Sequence, residues 1–344
     1  MQMPATIKDI AIMANTSIAT VSKVLNNKPI RVSDAKRKEI LVAIEELNYI
    51  PNSVASGLKR GAKNTIAIAL PDLSDPFNSK IAKCIITILE EVNKKAIVYD
   101  YDENIDREKK FILGLRDKSV DGLIIMSSSL TKQKERDIAA ENIVKGINLP
   151  IVYLNDERQE ITMSSISTDG FLCGYEAVKY LQSLGHKKIG FTAKSMADPN
   201  LNTIYKGYMT AVVEAGEEEY IAQNYHRYYG GEDAARQLLA QGVTAILAES
   251  DQLAIGIISY AFKNKIPIPQ KLSVIGVDDV IAGRVFPVPL TTMRQDALDL
   301  ARNAVKLLLD EVEANSNGKV YTHKRMTIKP KLIIRSSTCE YTER

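Results

Sequence analysis

Carboxylates and amides recur in this 344-residue chain directly after short apolar runs. Asp72, Asp75 and Phe77 follow IAIAL (66–70), Asn155 and Asp156 follow IVYL (151–154), Asp278 and Asp279 follow SVIGV (273–277), and Gln295 comes after LTTM. Paired acceptors and donors beside an aromatic ring suit a sugar, whose hydroxyls need both and whose C–H face packs on a ring. Single residues keep a second reading: Asp72 and Asp75 also fit as caps of a helix starting near Pro76, and Asp279 as the support of the IGVDD turn. Catalysis lacks a comparable set. No GxGxxG follows a strand, and neither a Walker loop nor a GxSxG elbow is present. His186, His226 and His323 lie too far apart for metal-ligand spacing, and His186 in LGHKK reads as a turn residue before the KIGF strand. The expectation is a binding protein with no catalytic residue, metal or cofactor.

The elements that must carry these residues are legible as runs. IAIAL, AIVYDY (96–101), GLIIM (122–126) and IVYL form one series, and KIGF (188–191), AILA (245–248) and SVIGV a second, with amphipathic helical stretches between. Short β-branched runs alternating with helices predict parallel sheets of βαβ units, and two series predict two doubly wound subdomains. Such sheets bind ligands at the carboxyl ends of their strands, so two of them facing one another make a cleft.

Length suggests two or three domains with full-sized cores. Apolar content of 45% and charged content of 25% are those of a soluble globular protein. Cys84, Cys173 and Cys339 are scattered without a CxxC pair, and no apolar membrane span or secretory core is seen, which predicts a reduced, cytoplasmic protein without a membrane partner. Charge is uneven: ten basic residues face five acidic ones up to residue 63, a net +5 within a total of +3. A basic head on a near-neutral body points to a polyanion partner for the head.

The head has a pattern as well as a charge. Thr6-Ile7-Lys8-Asp9 fits a capping box, after which Ile7, Ile10, Ala11 and Ala14 recur at helical spacing. Asn15-Thr16 reads as a turn, and Ser17 caps a second helix with Val21, Val24 and Leu25 inward and Ile18, Ala19, Ser22, Lys23 and Asn26 outward. Ser33 caps a third helix through Leu47, with Ile40, Ile44 and Leu47 buried. Two short helices joined by a tight turn make a helix-turn-helix, whose second helix offers its N-terminal side chains to the DNA major groove.

TIKDIAIMANTSIATVSKVLNN, with VSDAKRKEILVAIEELNYIPNSVASGLK, resembles the DNA-binding head of the LacI/GalR family of bacterial transcription regulators, and NTIAIALPDLSDPF, VDGLIIM, LGHKKIGF and LSVIGVDD extend the resemblance over nearly the whole chain. It implies an α/β protein with an all-α helix-turn-helix head (1–50), a hinge (51–63) and a periplasmic-binding-protein-like effector and dimerisation body (64–344). The subdomains are then expected at about 64–160 with 291–320, and 161–290 with 321–344. Ile18, Ala19 and Lys23 fall where base-reading side chains sit, with Thr20, Ser22 and Asn26 near phosphates and Thr6 and Ser17 in the same surface. In the hinge, Leu58 would wedge into a minor-groove step while Val54 and Ala55 pack against the partner hinge or DNA; Gly57 would make that helix reluctant to form. Effector contacts carried over are Asp75, Phe77, Asp156, Asp278 and Gln295, joined by Asn155 and, in neighbouring loops, by Asp198, Asn200, Tyr228 and Ser250.

The chain departs from the family in Ile204, where an Arg is common before the Gly207-Tyr208 pair, and in Ser250, where Asn is frequent. Without that Arg a bidentate clamp for hydroxyl, carboxylate or phosphate is gone, which argues against a simple monosaccharide effector and more strongly against an anionic one. The expected partners are operator DNA, a sugar-type effector and a second copy of the chain, with a tetramer left open. DPFNSKIAKCIITILEEV, rich in Ile81, Ile85, Ile88 and Val92, is the candidate dimer surface, although most of these suit core packing. Rival readings are control by a phosphorylated carrier protein, as some family members use, and a periplasmic-type sugar-binding protein, which the basic head argues against.

Overall fold

The computed structural model describes residues 6–25, 30, 32–47, 63–115, 119–126, 149–157, 161–194, 202–223 and 227–342, the side chains of 223 and 227–229 excepted. They fall into two compact units, Met1–Lys63 and Asn64–Arg344.

In the first unit the helices are Ile7–Met13, Ile18–Leu25 and Asp34–Glu46. Their apolar faces meet in one small core of Ile10, Ala11, Ala14, Val21, Val24, Ile40 and Ala43, flanked by Ile7, Leu25, Ile44 and Leu47. The first helix ends in a Schellman motif. Asn15 is left-handed (φ 44°), its amide donates to Ile12 O at 3.1 Å, and Thr16 N donates to Ala11 O at 2.9 Å. Lys36 on the third helix adds its ammonium to the Ala14 carbonyl at 3.2 Å, so the turn is held from both sides.

Among the described residues the second unit contains two six-stranded sheets. Strands are β1 (Thr65–Leu70), β2 (Lys95–Asp100), β3 (Gly122–Met126), β4 (Ile151–Leu154), β5 (Ser164–Thr168), β6 (Ile189–Ala193), β7 (Tyr220–Gln223), β8 (Ala245–Ala248), β9 (Ser273–Val277), β10 (Thr291–Arg294), β11 (Arg325–Ile328) and β12 (Lys331–Ile333). The first sheet has the order β11-β5-β4-β3-β1-β2 and the second β12-β10-β9-β8-β6-β7. All pairings are parallel except β10 with β12. Both faces of the central strands are covered, which is why β1, β3, β4, β8 and β9 read as apolar runs. In β1, Ile66, Ile68 and Leu70 face the Pro76–Glu91 and Ala297–Ser316 helices, while Ala67 and Ala69 face the Ile105–Gly114 helix. In the second sheet the Gly170–Ser183 and Thr203–Glu214 helices cover one face, and Arg227–Ala240 with Asp251–Lys263 the other. The first of these helix pairs packs backbone to backbone: a Cβ on Gly174 would lie 1.9 Å from Ile204 O, and one on Gly207 2.0 Å from Phe171 O.

One expectation needs correction. The subdomain boundaries differ, because 161–168 and 321–328 carry β5 and β11 of the first sheet, and 291–294 is β10 of the second. β5 escapes an apolar pattern because it is SSIST, a buried strand of mostly hydroxyl side chains. Ile81 and Ile85 are wholly buried and Ile88 packs beside them, the core packing expected for most of that segment, and of these four apolar residues Val92 alone stands exposed. His186 is the expected turn residue: its ring nitrogens meet Thr244 Oγ1 at 2.9 Å and Ser273 Oγ at 3.0 Å, and burial lowers its pKa. No described helix is long and apolar enough to cross a membrane.

One buried charge is poorly matched. Glu311, on the Ala297–Ser316 helix, has an Oε2 with no hydrogen-bond partner among the described residues and His323 Nδ1 at 3.8 Å. Burial pushes its carboxyl up to about 7, against the pull of the Ile151 amide. A carboxyl with a raised folded-state pKa favours folding below its unfolded value and loses that contribution as pH rises through the folded value. Glu311→Gln is therefore expected to raise Tm at pH 8 by about 2–4 °C, after allowance for partial solvation, and to leave Tm at pH 5 nearly unchanged; thermal unfolding at the two pH values checks this.

Candidate functional site

In the head, Val21 and Val24 turn into the core and leave Ile18, Ala19 and Lys23 exposed on the same helix, Ile18 to 47%. Ile12, Met13, Leu41 and Val42 of the same unit are exposed as well. Thr20 and Ser22 are half-buried. Ser17 serves as a cap, accepting from Thr20 N at 3.1 Å, with the two hydroxyls 2.8 Å apart. Thr6 forms the expected capping box with Asp9, donating its hydroxyl to Oδ2 at 2.7 Å. Asn26 and the hinge residues Val54, Ala55 and Leu58 lie outside the described residues.

In the body the chain passes between the sheets three times, after β5, after β10 and between β11 and β12. Strand-end side chains tie these passages together. Asn155 follows β4 in a left-handed conformation (φ 55°) with its amide on Ile166 O at 2.7 Å. Its Oδ1 accepts from Thr168 N at 3.2 Å in the first passage, and its Nδ2 donates to Gln295 Oε1 at 3.1 Å in the second. Gln295 Nε2 then donates to Asp278 Oδ1 at 2.7 Å. Asp169 N donates to Ile328 O at 2.9 Å and joins the third passage to the first. Asn155, Gln295 and Asp278, from three strand ends of both sheets, thus form one continuous polar chain.

The IGVDD turn is built around buried carboxylates. Asp251, fully buried, accepts from Val280 N at 2.8 Å and Thr292 Oγ1 at 2.6 Å, pinning the turn to β10. Gly276 must lack a side chain, since a Cβ there would lie 2.3 Å from Asp251 Oδ1. Burial raises the carboxyls of both Asp251 and Asp278, and for Asp278 the charges of Asp251 and Asp75 add to it. Asp278 consequently favours its neutral form, which can donate as well as accept. Asp279 takes the structural role: burial opposes its ionisation, but Arg335 and Arg284 overcome this and hold it below the usual range. Arg284 contributes two bonds, Nε at 3.1 Å and Nη2 at 2.7 Å, with Arg294 4.0 Å away.

The remaining predicted residues divide. Asp75 caps the Pro76–Glu91 helix through Phe77 N at 2.8 Å, and Ser250 caps Asp251–Lys263 through Leu253 N at 3.3 Å. Phe77 is buried in the first sheet's core with Val280 and Ala297, and Asp156 is almost fully buried. Asp198 and Asn200 lie outside the described residues; Tyr228 belongs to the Arg227–Ala240 helix, its side chain likewise outside. Ile204 is partly buried against the second sheet. Several strand-end residues were missed: Glu103, Glu157, Lys194, Glu249 and the buried Asp251. Glu157 accepts from Gly170 N at 3.1 Å and from Thr203 Oγ1, and Glu249 accepts from Lys194 N at 2.9 Å and Asn202 Nδ2 at 2.8 Å. The strand-end rule reaches all five once it is applied after every strand, Asp251 lying three residues past β8 as Glu103 does past β2.

Comparison with known proteins places both units. Residues 6–52 match the family described as bacterial regulatory proteins, lacI family, and 178–338 match the periplasmic binding protein-like domain. The HTH-type transcriptional repressor CytR of Escherichia coli K12 is 32% identical over 320 residues, 91% of this chain and 92% of CytR. The HTH-type transcriptional regulator DegA of Bacillus subtilis 168 is 31% identical over 98% of both chains. A crystal structure of the Lac repressor dimer bound to operator and the anti-inducer ONPF superimposes with a TM-score of 0.84 at 25% identity, covering 98% of this chain and 100% of that one. These relatives are regulators rather than enzymes, and with such coverage of both units the chain belongs to the LacI family of DNA-binding bacterial transcription regulators.

Proposed function

We propose that the chain represses transcription by binding a palindromic operator as a homodimer, and that a neutral, sugar-type molecule held at the strand ends of the body controls it. Residues 1–50 read the operator, 51–63 form the hinge and 64–344 bind effector and partner copy. The observation that carries this reading is the polar chain Asn155–Gln295–Asp278, which joins the two sheets where the chain passes between them. A ligand that replaces any of its bonds acts on the relative position of the two halves, so binding and conformation share the same atoms.

Charge supports a neutral ligand. Asp278 favours its neutral form, Arg284 and Arg335 are committed to Asp279, and Lys194 is paired with Glu103. Ile204 offers nothing to an anion. Homodimerisation is supported by Ile281 and Val285, each 77% exposed one helical turn apart, and by the dimeric state named for the Lac repressor structure.

Two outcomes follow. Lys23→Ala, and Ile18→Ala for apolar contacts, should each weaken binding to the cognate operator about tenfold or more and change random-DNA binding little. Equal loss on both in a mobility-shift assay would place these side chains outside base reading. A thermal-shift screen of the full chain against neutral sugars, nucleosides and sugar phosphates should give its hits among the neutral compounds, with stabilisation growing with ligand concentration. Gln295→Ala should remove that stabilisation and retain operator binding. Silence across the panel would favour a phosphorylated carrier protein as corepressor.

A further inference from the structure

Glu103 and Lys194 form an ion pair between the two halves of the body: Glu103 follows β2 of the first sheet and Lys194 follows β6 of the second. Neither side chain is open to water in the way of an ordinary surface pair, since they are 19% and 14% exposed. Both are presented by rigid strand ends. Asp102 and Glu103 are consecutive left-handed residues (φ 53° and 52°), a conformation that non-glycine residues hold only when the surroundings enforce it.

Those surroundings are present. Asp100 accepts from Leu73 N at 2.9 Å and from Asp102 N at 2.7 Å, Glu103 N donates to Pro71 O at 2.6 Å, and Arg107 clamps the turn through Asp102 Oδ2 at 3.1 Å and Asp100 O at 3.0 Å. On the other side, Lys194 N is fixed by Glu249, which Asn202 holds in turn. A strained turn with this many supports, whose product is one carboxylate set against one ammonium of the opposite half, has the form of a positioning device.

We propose that Glu103 and Lys194 are a latch that holds the two halves of the body together before any effector arrives, and so set how tightly the effector binds. The first clause stands on the ion pair alone; the second rests on the reading of the cleft as the effector site. A ligand that binds the closed arrangement meets a protein already in it and is spared the loss of affinity that goes with a rarely populated state.

Hydrogen exchange on the effector-free full chain tests the latch. The amides to follow are Asp169 and Gly170, remote in sequence from both partners: Asp169 N is bonded between the first and third passages, and Gly170 N reaches from the Gly170–Ser183 helix of the second half to Glu157 of the first. Glu103→Ala and Lys194→Met should each speed exchange there about tenfold, the scale of one partly desolvated charged hydrogen bond. The exchanged pair Glu103→Lys with Lys194→Glu should return it to within about threefold of the native rate, a rescue that a merely structural role would not give. Glu103→Asp, which withdraws the charge by one methylene, should fall between and keeps the test open if a neutral variant does not fold. Native rates in the single variants, or a reversed pair as fast as they are, overturn the proposal. Because no effector is present, that failure is separate from a silent ligand screen.

Discussion

The body depends on how its three chain passages are held against one another. Asn155 stands on none of them, yet its side-chain amide accepts from the first and donates to the second, and the bond from Asp169 N to Ile328 O completes the set. An amide is the side chain that can do this, since one end accepts and the other donates at fixed spacing. Its left-handed backbone aims it there, a conformation Asn tolerates better than most residues. Remove this bridge and the sheets remain folded, their relation left to the backbone at the passages and to the other contacts between the halves, Glu103–Lys194 and Glu157–Thr203 among them.

The same economy governs the charges. Asp251, Asp278 and Asp279 crowd the end of β9, and only Asp279 has enough guanidinium around it to stay ionised comfortably. Asp251 is held by hydrogen bonds to Val280 N and Thr292 Oγ1, and Asp278 by Gln295. Burial of an unpaired carboxylate is costly, so the neutral form is the affordable one, and a neutral carboxyl next to an amide is suited to hydroxyls. The head solves a different problem with similar means: its turn is fixed by Asn15 in the left-handed region and by Lys36 on the Ala14 carbonyl, and the second helix keeps Ile18, Ala19 and Lys23 exposed.

Much of this could be read from the residues. The head's caps, turn and core faces follow from Thr6, Asn15, Ser17 and Ser33 with the apolar spacing around them, because short helices leave few ways to bury Val21, Val24 and Ile40 together. The strands with both faces covered announce themselves as apolar runs. β5 did not, since a buried strand of serines and threonine has its burial decided by neighbours rather than by its own hydropathy, and with it went the subdomain boundaries. Asp278 and Gln295 were legible by their place after strands, but Phe77 and Asp75 are drawn into core packing and capping that the same spacing also permits. Glu103 and Lys194 carried no local signal of pairing, being 91 positions apart with their meeting set by the arrangement of two separate sheets.

The most direct test of coupling through the polar chain is the ratio of operator affinities with and without a saturating effector found by the screen, in the native protein and in Asn155→Ala. Coupling through Asn155 predicts that the variant still binds operator but that the effector's influence on operator affinity falls toward a ratio of one. An unchanged ratio, with effector binding retained, would contradict it.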